Sequence, residues 1–220
     1  MMARPNKTPK PVADNSDANE PSRRTRIVVE AGKLFGAKGY HAVSMRQIAD
    51  AADVQLSLIV YHFTSKEQLY RSVFDHFHEI FEERLARLNR IADFKSPGAV
   101  REIVEAFIRP AQAVQLSEEG RIYSQLSLRE ASDPEQDERG IIRDYYDPMA
   151  RQFISALRMA LPAKPERKIA WAYFFMVSTL VMNIVDERMA RLVTDDFESD
   201  HVNAKYDYLI DFIVAGISGV

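Results

Sequence analysis

Few side chains in this sequence can break or make bonds. There is no cysteine, which excludes disulfides, thiolate metal sites and a cysteine nucleophile. No G-x-S-x-G elbow and no glycine-rich phosphate loop occur. The best cluster is His76, His78, Glu79 and Glu82, in which His78 and Glu82 stand four apart and share a helix face. Such a face either binds a metal ion or is simply a solvated charged surface. No enzyme, cofactor, catalytic residue or metal ligand is assigned from it, and a metal-responsive protein stays as an alternative. A second set carries a different chemistry. Ser44, Arg46, Gln55, Ser57, Tyr61, His62 and Lys66 crowd one short stretch. They offer hydroxyls, an amide and cations, the groups that hold phosphates and read base edges.

The elements that must position them follow from the spacing. Ser44 can cap a helix whose buried face is Met45, Ile48, Ala49 and Ala52, with small Ala49 and Ala51 allowing close crossing. Asp53 falls where the chain must turn and tolerates a left-handed backbone. Gln55 to Tyr61 forms a second short helix, with Leu56, Ile59 and Val60 expected inward and Gln55, Ser57 and Leu58 outward. This is the layout of a helix-turn-helix. Upstream, residues 22–38 form a helix with an Ile27, Ala31, Leu34, Phe35 stripe, ended by Gly39. Downstream, Thr64 or Ser65 caps a helix expected to run unbroken to Asn89.

This stretch resembles the tetracycline-repressor (TetR) family of bacterial transcription regulators. The resemblance is carried by Arg24-Thr25-Arg26, Ala31, Leu34-Phe35 and Lys38-Gly39-Tyr40. It continues through Ser44, Ile48-Ala49, Val54, Tyr61-His62-Phe63, Ser65-Lys66-Glu67 and Leu69. It spans residues 22 to 77. Asp53 departs from the usual turn glycine, Gln55 from the usual Ser or Asn cap, and Ser57–Val60 from the commoner glycine-containing segment. The resemblance implies double-stranded DNA as partner, with Tyr61, His62 and Lys66 on phosphates. Ser44, Arg46, Arg24 and Thr25 are further phosphate candidates. Gln55 suits adenine, and Leu56 or Leu58 a thymine methyl, unless Leu56 is core and Gln55 only a cap.

Charge agrees with that division. The whole chain carries −3, yet residues 22–77 hold eight Lys/Arg against five acids. A cationic head on an anionic body suits a protein that presents one end to DNA. Residues 1–21 are polar and proline-rich, expected to be disordered, with Arg4, Lys7 and Lys10 as optional DNA contacts. No signal-peptide run is present, so the expected location is cytoplasmic.

The rest reads as helices over 98–115, 118–131, 138–161, 165–193 and 202–218. Pro110 is expected to kink or divide the first of them, and Pro148 to bend the third. Residues 169–185 are apolar on nearly every face but too short for a membrane span, so the membrane-associated alternative is set aside. A helix apolar all round is buried on both sides. In the resembling family the last two helices pair two subunits, so a homodimer through Phe174, Val177, Leu180, Val181, Tyr206, Ile210 and Ile213 is expected. That family also implies a small-molecule effector pocket in the body. Candidates are Phe74, Phe77, Phe81, Phe107, Tyr123, Leu126, Phe153, Tyr173 and Met176, with Arg129 and Asn183 as polar selectors; each is otherwise plain core. The expectation is therefore an all-α chain. A three-helix reading head at 22–77 would be joined to a helical ligand-binding and dimerisation body at 78–220. The whole would act as a repressor on a palindromic operator.

Overall fold

The structure, a computed structural model, describes residues 22–185, Arg188, Leu192 and residues 201–219. The expectations for the tail 1–21 and for the end of the 165–193 helix lie outside the described residues. Among the described residues all regular structure is helical.

Local signals set the head. Ser22 caps α1 (Arg23–Lys38) by accepting the Thr25 N–H at 3.2 Å, and Gly39, at φ 81°, ends it. Ser44 opens α2 (Met45–Ala51) with a reciprocal cap: Gln47 N–H donates to Ser44 Oγ at 3.3 Å, and Ser44 N–H donates to Gln47 Oε1 at 2.8 Å. Two otherwise orphaned donors are thereby satisfied. Asp53 turns the chain at φ 51° and leads into α3 (Leu56–His62). Ser65 caps α4 (Lys66–His76) through the Gln68 N–H at 3.0 Å. Ile27, Ala31, Phe35, Ile48, Ala49, Ile59, Phe63, Leu69 and Val73 close a common core, while Ala51 stays exposed.

The inward face of α3 differs from expectation. Ile59 is buried and Leu58 packs half-buried on the core, but Leu56 and Val60 are exposed. Each residue turns the helix by about 100°. With Ile59 centred inward, flanked by Leu58 and His62, Val60 is carried to the outer side.

The expected continuous helix from 65 to 89 is two. After α4 the chain makes a tight turn at Phe77–His78, whose N–H groups reach the Phe74 and Asp75 carbonyls at 3.1 Å, and α5 (Glu79–Asn89) begins. No proline or glycine marks the break. It seats Phe77 against Tyr123, ring centroids 4.7 Å apart, and Phe81 edge-on to Tyr146 at 5.0 Å.

In the body, α6 (Ala99–Gln115) continues through a buried Pro110 rather than dividing there. α7 (Glu118–Ser132) packs along α1; a Cβ on Gly36 would lie only 3.3 Å from the Ile122 carbonyl, so glycine lets the two helices close. The expected 138–161 helix is three pieces: a single turn α8 (Gln136–Arg139), a π-helical turn at Ile142–Tyr146, and α9 (Asp147–Ala160). Pro148 sits in the first turn of α9, where a missing N–H loses nothing. α10 (Glu166–Val185) and α11 (His201–Gly219) complete the described chain.

Candidate nucleic-acid interface and effector cavity

The outer face of α3 gathers most of the base-reading candidates. Gln55, Leu56 and Ser57 are exposed, and Tyr61 is 82 % exposed. Gln55 makes no side-chain cap bond, so its amide is free. Val60 joins this face, which the sequence reading missed; Leu58 is half-buried and His62 half-exposed beneath it. Arg23 and Arg26 share a shallow cleft with Asp53, Gln55 and Ser57, placing two cations at the start of α3. Arg24 instead lies with its guanidinium 5.2 Å from the Phe63 ring, and Thr25 bonds Ser22 at 2.9 Å. Arg46 is exposed, while Ser44 is held in its cap.

Lys66 departs from a free phosphate ligand. Its ammonium donates to the Tyr40 and Val43 carbonyls at 2.9 and 3.0 Å and lies 4.2 Å from the Tyr40 ring. It ties the α1–α2 connection to α4, and burial, with the nearby Arg139 charge, lowers its pKa.

Head and body meet through a buried polar cluster. Arg139 places its guanidinium 3.0 Å from both Glu130 and Asp133, and Tyr70 donates to Glu130 at 2.8 Å. Arg71 bonds Asp144 at 2.9 Å and the Arg139 carbonyl. Arg129 donates to the Gly36 and Ala37 carbonyls at the end of α1.

A cavity of about 280 Å³ opens between α5, α6, α7, the π turn, α9 and α10. Of the residues expected there, Phe107, Tyr123 and Tyr173 line it. The others do not. Phe74, Phe81, Leu126 and Phe153 are buried core, Phe77 faces a neighbouring cleft with His76, and Met176 lines a groove between α10 and α11. Arg129 is spent on the head, as above. Asn183 is absent from the lining; its Oδ1 is buried without a partner among the described residues. The sequence reading missed Arg84, Tyr146, Ser127 and Asp147, all on the wall. Arg84 is 7 % exposed; its Nε donates to the Phe107 carbonyl at 2.8 Å and its guanidinium lies 4.1 Å from the Phe107 ring. Burial pulls its pKa down, opposed by Tyr123, Tyr173 and Tyr146. Burial raises the phenols, Tyr173 to about 12, so they stay protonated.

The expected dimer face needs correction. Leu180, Tyr206, Ile210 and Ile213 are buried inside this chain and present almost no area to a partner. Val177 and Val181 are half-buried and line the cavity; Phe174 also touches it but is exposed. The outer face is instead Trp171, Phe174, Phe175 and Met182 of α10 with Tyr208 and Phe212 of α11, each about half or more exposed. Trp171 and Phe175 stack at 5.8 Å. Among the described residues no helix is long and apolar enough to cross a membrane. His76 faces Glu119 and His78 faces Glu82, both at 3.7 Å, and no three metal-ligating side chains converge among the described residues.

Comparison with known proteins matches both halves. The family model "Bacterial regulatory proteins, tetR family" matches residues 27–73, and "Tetracyclin repressor-like, C-terminal domain" matches residues 105–216. The HTH-type transcriptional regulator BetI of Rhizobium meliloti is 26 % identical over 197 residues, covering 86 % of this chain and 93 % of BetI. The HTH-type transcriptional activator FasR of Mycolicibacterium smegmatis is 41 % identical over 51 residues, only 23 % of either chain. In fold the chain is similar to FadR from Bacillus subtilis in complex with stearoyl-CoA, with a TM-score of 0.62 at 18 % identity over 87 % of this chain and 98 % of that one. With a helix-turn-helix head and a helical body each matched in order along the sequence, the chain belongs to the TetR family of DNA-binding transcription regulators.

Proposed function

We propose that this chain is a cytoplasmic repressor that binds a palindromic operator as a homodimer and releases it when a small, largely apolar effector enters the body cavity. The observation that carries the reading is the double duty of α7. Tyr123, Ser124, Ser127 and Leu128 form cavity wall, and the next two residues, Arg129 and Glu130, hold the head. A ligand that displaces this helix moves the end of α1 and, with it, α3. The coupling so proposed does not run along one rigid helix from 65 to 89, because the turn at Phe77–His78 interrupts it. We place the boundary between head (22–77) and body (78–220) at that turn.

The dimer is supported by the aromatic outer face of α10 and α11, whose exposure is costly in a lone subunit. Two heads would then read half-sites about one helical turn, or a multiple of it, apart. FadR's stearoyl-CoA complex fits an apolar effector, whereas FasR's designation as an activator makes the sign of regulation a matter for experiment. Genomic footprinting identifies the sites and their neighbouring genes. Operator affinity is then measured with and without the effector so indicated. Only differential affinity for the two states can shift the equilibrium. A ligand that binds free and operator-bound protein equally tightly refutes the coupling, and footprints without inverted symmetry refute the dimeric reader.

A further inference from the structure

We propose that the body cavity binds an apolar acid, its carboxylate seated on Arg84 and its body lying along α10. This rests on the effector-responsive reading above and deepens it by assigning the ligand's charge and the residue that recognises it.

A buried guanidinium ordinarily has a carboxylate beside it, because an unpaired desolvated charge is costly. The other buried arginine among the described residues obeys that rule. Arg139, 6 % exposed, has Glu130 and Asp133 both at 3.0 Å. Arg84 is as deeply buried and does not. Its Nε is engaged by the Phe107 carbonyl, but its two Nη groups have no acceptor among the described residues and no carboxylate acts on it. It occupies the apolar stripe of α5 between Ile80 and Leu88, one turn from each, where an aliphatic side chain would serve packing better.

The other polar groups of the cavity narrow the choice. Tyr146 donates to Ser127 Oγ at 2.6 Å, Ser127 donates to the Tyr123 carbonyl at 2.8 Å, and the Tyr123 hydroxyl, 3.0 Å from that of Tyr146, is left to donate to it. All three protons are used within the wall. Ser124 gives its proton to the Gly120 carbonyl at 3.0 Å. What remains is the Nη edge of Arg84 and the Tyr173 hydroxyl, which has no hydrogen-bond partner among the described residues. Both residues pack on Phe107, Tyr173 with ring centroids 5.8 Å apart. A planar carboxylate matches this set: two parallel bonds from the guanidinium edge and a third from a phenol. A cationic ligand would meet the Arg84 charge, and Asp147, the one acid on the wall among the described residues, pairs with Arg151 at 3.6 Å and acts on Tyr173 rather than on Arg84. A neutral ligand would leave the guanidinium unpaired. Ala111, Val114, Val177 and Ile184 supply the apolar remainder.

The test uses the full chain and calorimetry at pH 7.5, with octanoate and 2-naphthoate set against their neutral amides. The acids are expected to bind about tenfold or more tighter than the amides. Arg84→Met should abolish that preference while keeping amide binding, and Tyr173→Phe should weaken the acids a few-fold more than the amides. If Arg84→Met does not fold, Arg84→Gln, which can still donate to the Phe107 carbonyl, takes its place with the same expectation. The proposal is overturned if the amides match the acids, if the preference survives loss of Arg84, or if neither acid binds. Operator affinity is read separately by fluorescence anisotropy. Acids that bind through Arg84 without changing it uphold the anion site and overturn the regulatory reading instead.

Discussion

The Tyr70 hydroxyl donates to Glu130 Oε2 at 2.8 Å, across the seam between the reading head and the body, and both residues are buried. Glu130 stands in the last turn of α7 and is fully enclosed by this bond and by Arg139, whose guanidinium lies 5.0 Å from the Tyr40 ring. A phenol from α4, a carboxylate from α7 and a guanidinium from α8 thus form one desolvated unit. Such a unit fixes relative position better than apolar contact, because its geometry has few alternatives.

Breaking the unit on one side should cost more than removing it. Glu130→Leu leaves Arg139 with only the part-exposed Asp133 and strands the buried Tyr70 hydroxyl, and is expected to lose about 3–5 kcal/mol. Glu130→Leu combined with Arg139→Met should lose clearly less, and Tyr70→Phe alone about 1–2 kcal/mol. Urea unfolding of the four proteins decides it. Equal losses in the Glu130→Leu single and the double variant would mean that the unpaired Arg139 charge carries no penalty.

Much of the head was legible in the sequence because its signals are local. Ser44 and Ser65 cap where hydroxyls before apolar stripes say they should, and Gly39 and Asp53 take positive φ. What escaped was phase and long-range pairing. α10 is apolar all round, so periodicity does not tell the buried Leu180 from the exposed Phe175. Glu130 and Arg139 lie nine residues apart across a turn, and neither propensity nor spacing pairs them. Arg84 did leave a trace, a lone cation in the Ile80–Leu88 stripe.

Asp133 supplies the acid sensitivity of this seam. Its bond from the Glu135 N–H at 2.9 Å, aided by Arg139, holds its carboxyl below the usual carboxylate range. A group with a depressed folded pKa stabilises above its ordinary pKa and loses that contribution as pH falls through the folded value. Stability should therefore be level from pH 7 to about 5 and decline below about 4, within the range of ordinary Asp titration. Asp133→Asn should make the decline shallower in pH-dependent unfolding; an unchanged acid limb would remove Asp133 from the account.

Lys66 should behave as a fastener rather than a phosphate ligand. Lys66→Ala loses two carbonyl bonds and is expected to destabilise by about 1–3 kcal/mol. The slope of operator affinity against salt should then stay unchanged. Exposed Arg46→Ala should do the reverse: unchanged unfolding, affinity lowered evenly across sequences, and a salt slope smaller by about one. A slope that falls by one in Lys66→Ala would restore its phosphate role.

Asp53 holds the helix-turn-helix turn at φ 51°, where a β-branched side chain is strained. Asp53→Val should destabilise by about 1–2 kcal/mol. Asp53→Gly should be neutral or slightly stabilising, since relief of the left-handed backbone offsets the greater freedom of the unfolded chain. Arg26 reaches only the backbone carbonyl of Asp53, at 3.4 Å, so neither change removes that contact. Chemical denaturation ranks the three proteins, and a valine as stable as the aspartate would show that the turn relaxes.

The aromatic face of α10 and α11 gives the last expectation. Phe175 and Phe212 border one groove with Met176, Ile213 and Gly216, and both rings stand more than half exposed in the single chain. A single buried phenylalanine contributes about 1.5–3 kcal/mol when removed from water, and a twofold contact counts each ring twice. Phe175→Glu would place a charge in the face proposed to pair two subunits. It should convert a dimer to a monomer in sedimentation at micromolar concentration and remove preference for an inverted repeat, while leaving each subunit folded because the ring is not part of its own core. Phe153→Glu, on a fully buried ring, should instead fail to fold. A Phe175→Glu protein that remains dimeric would move the interface to another surface.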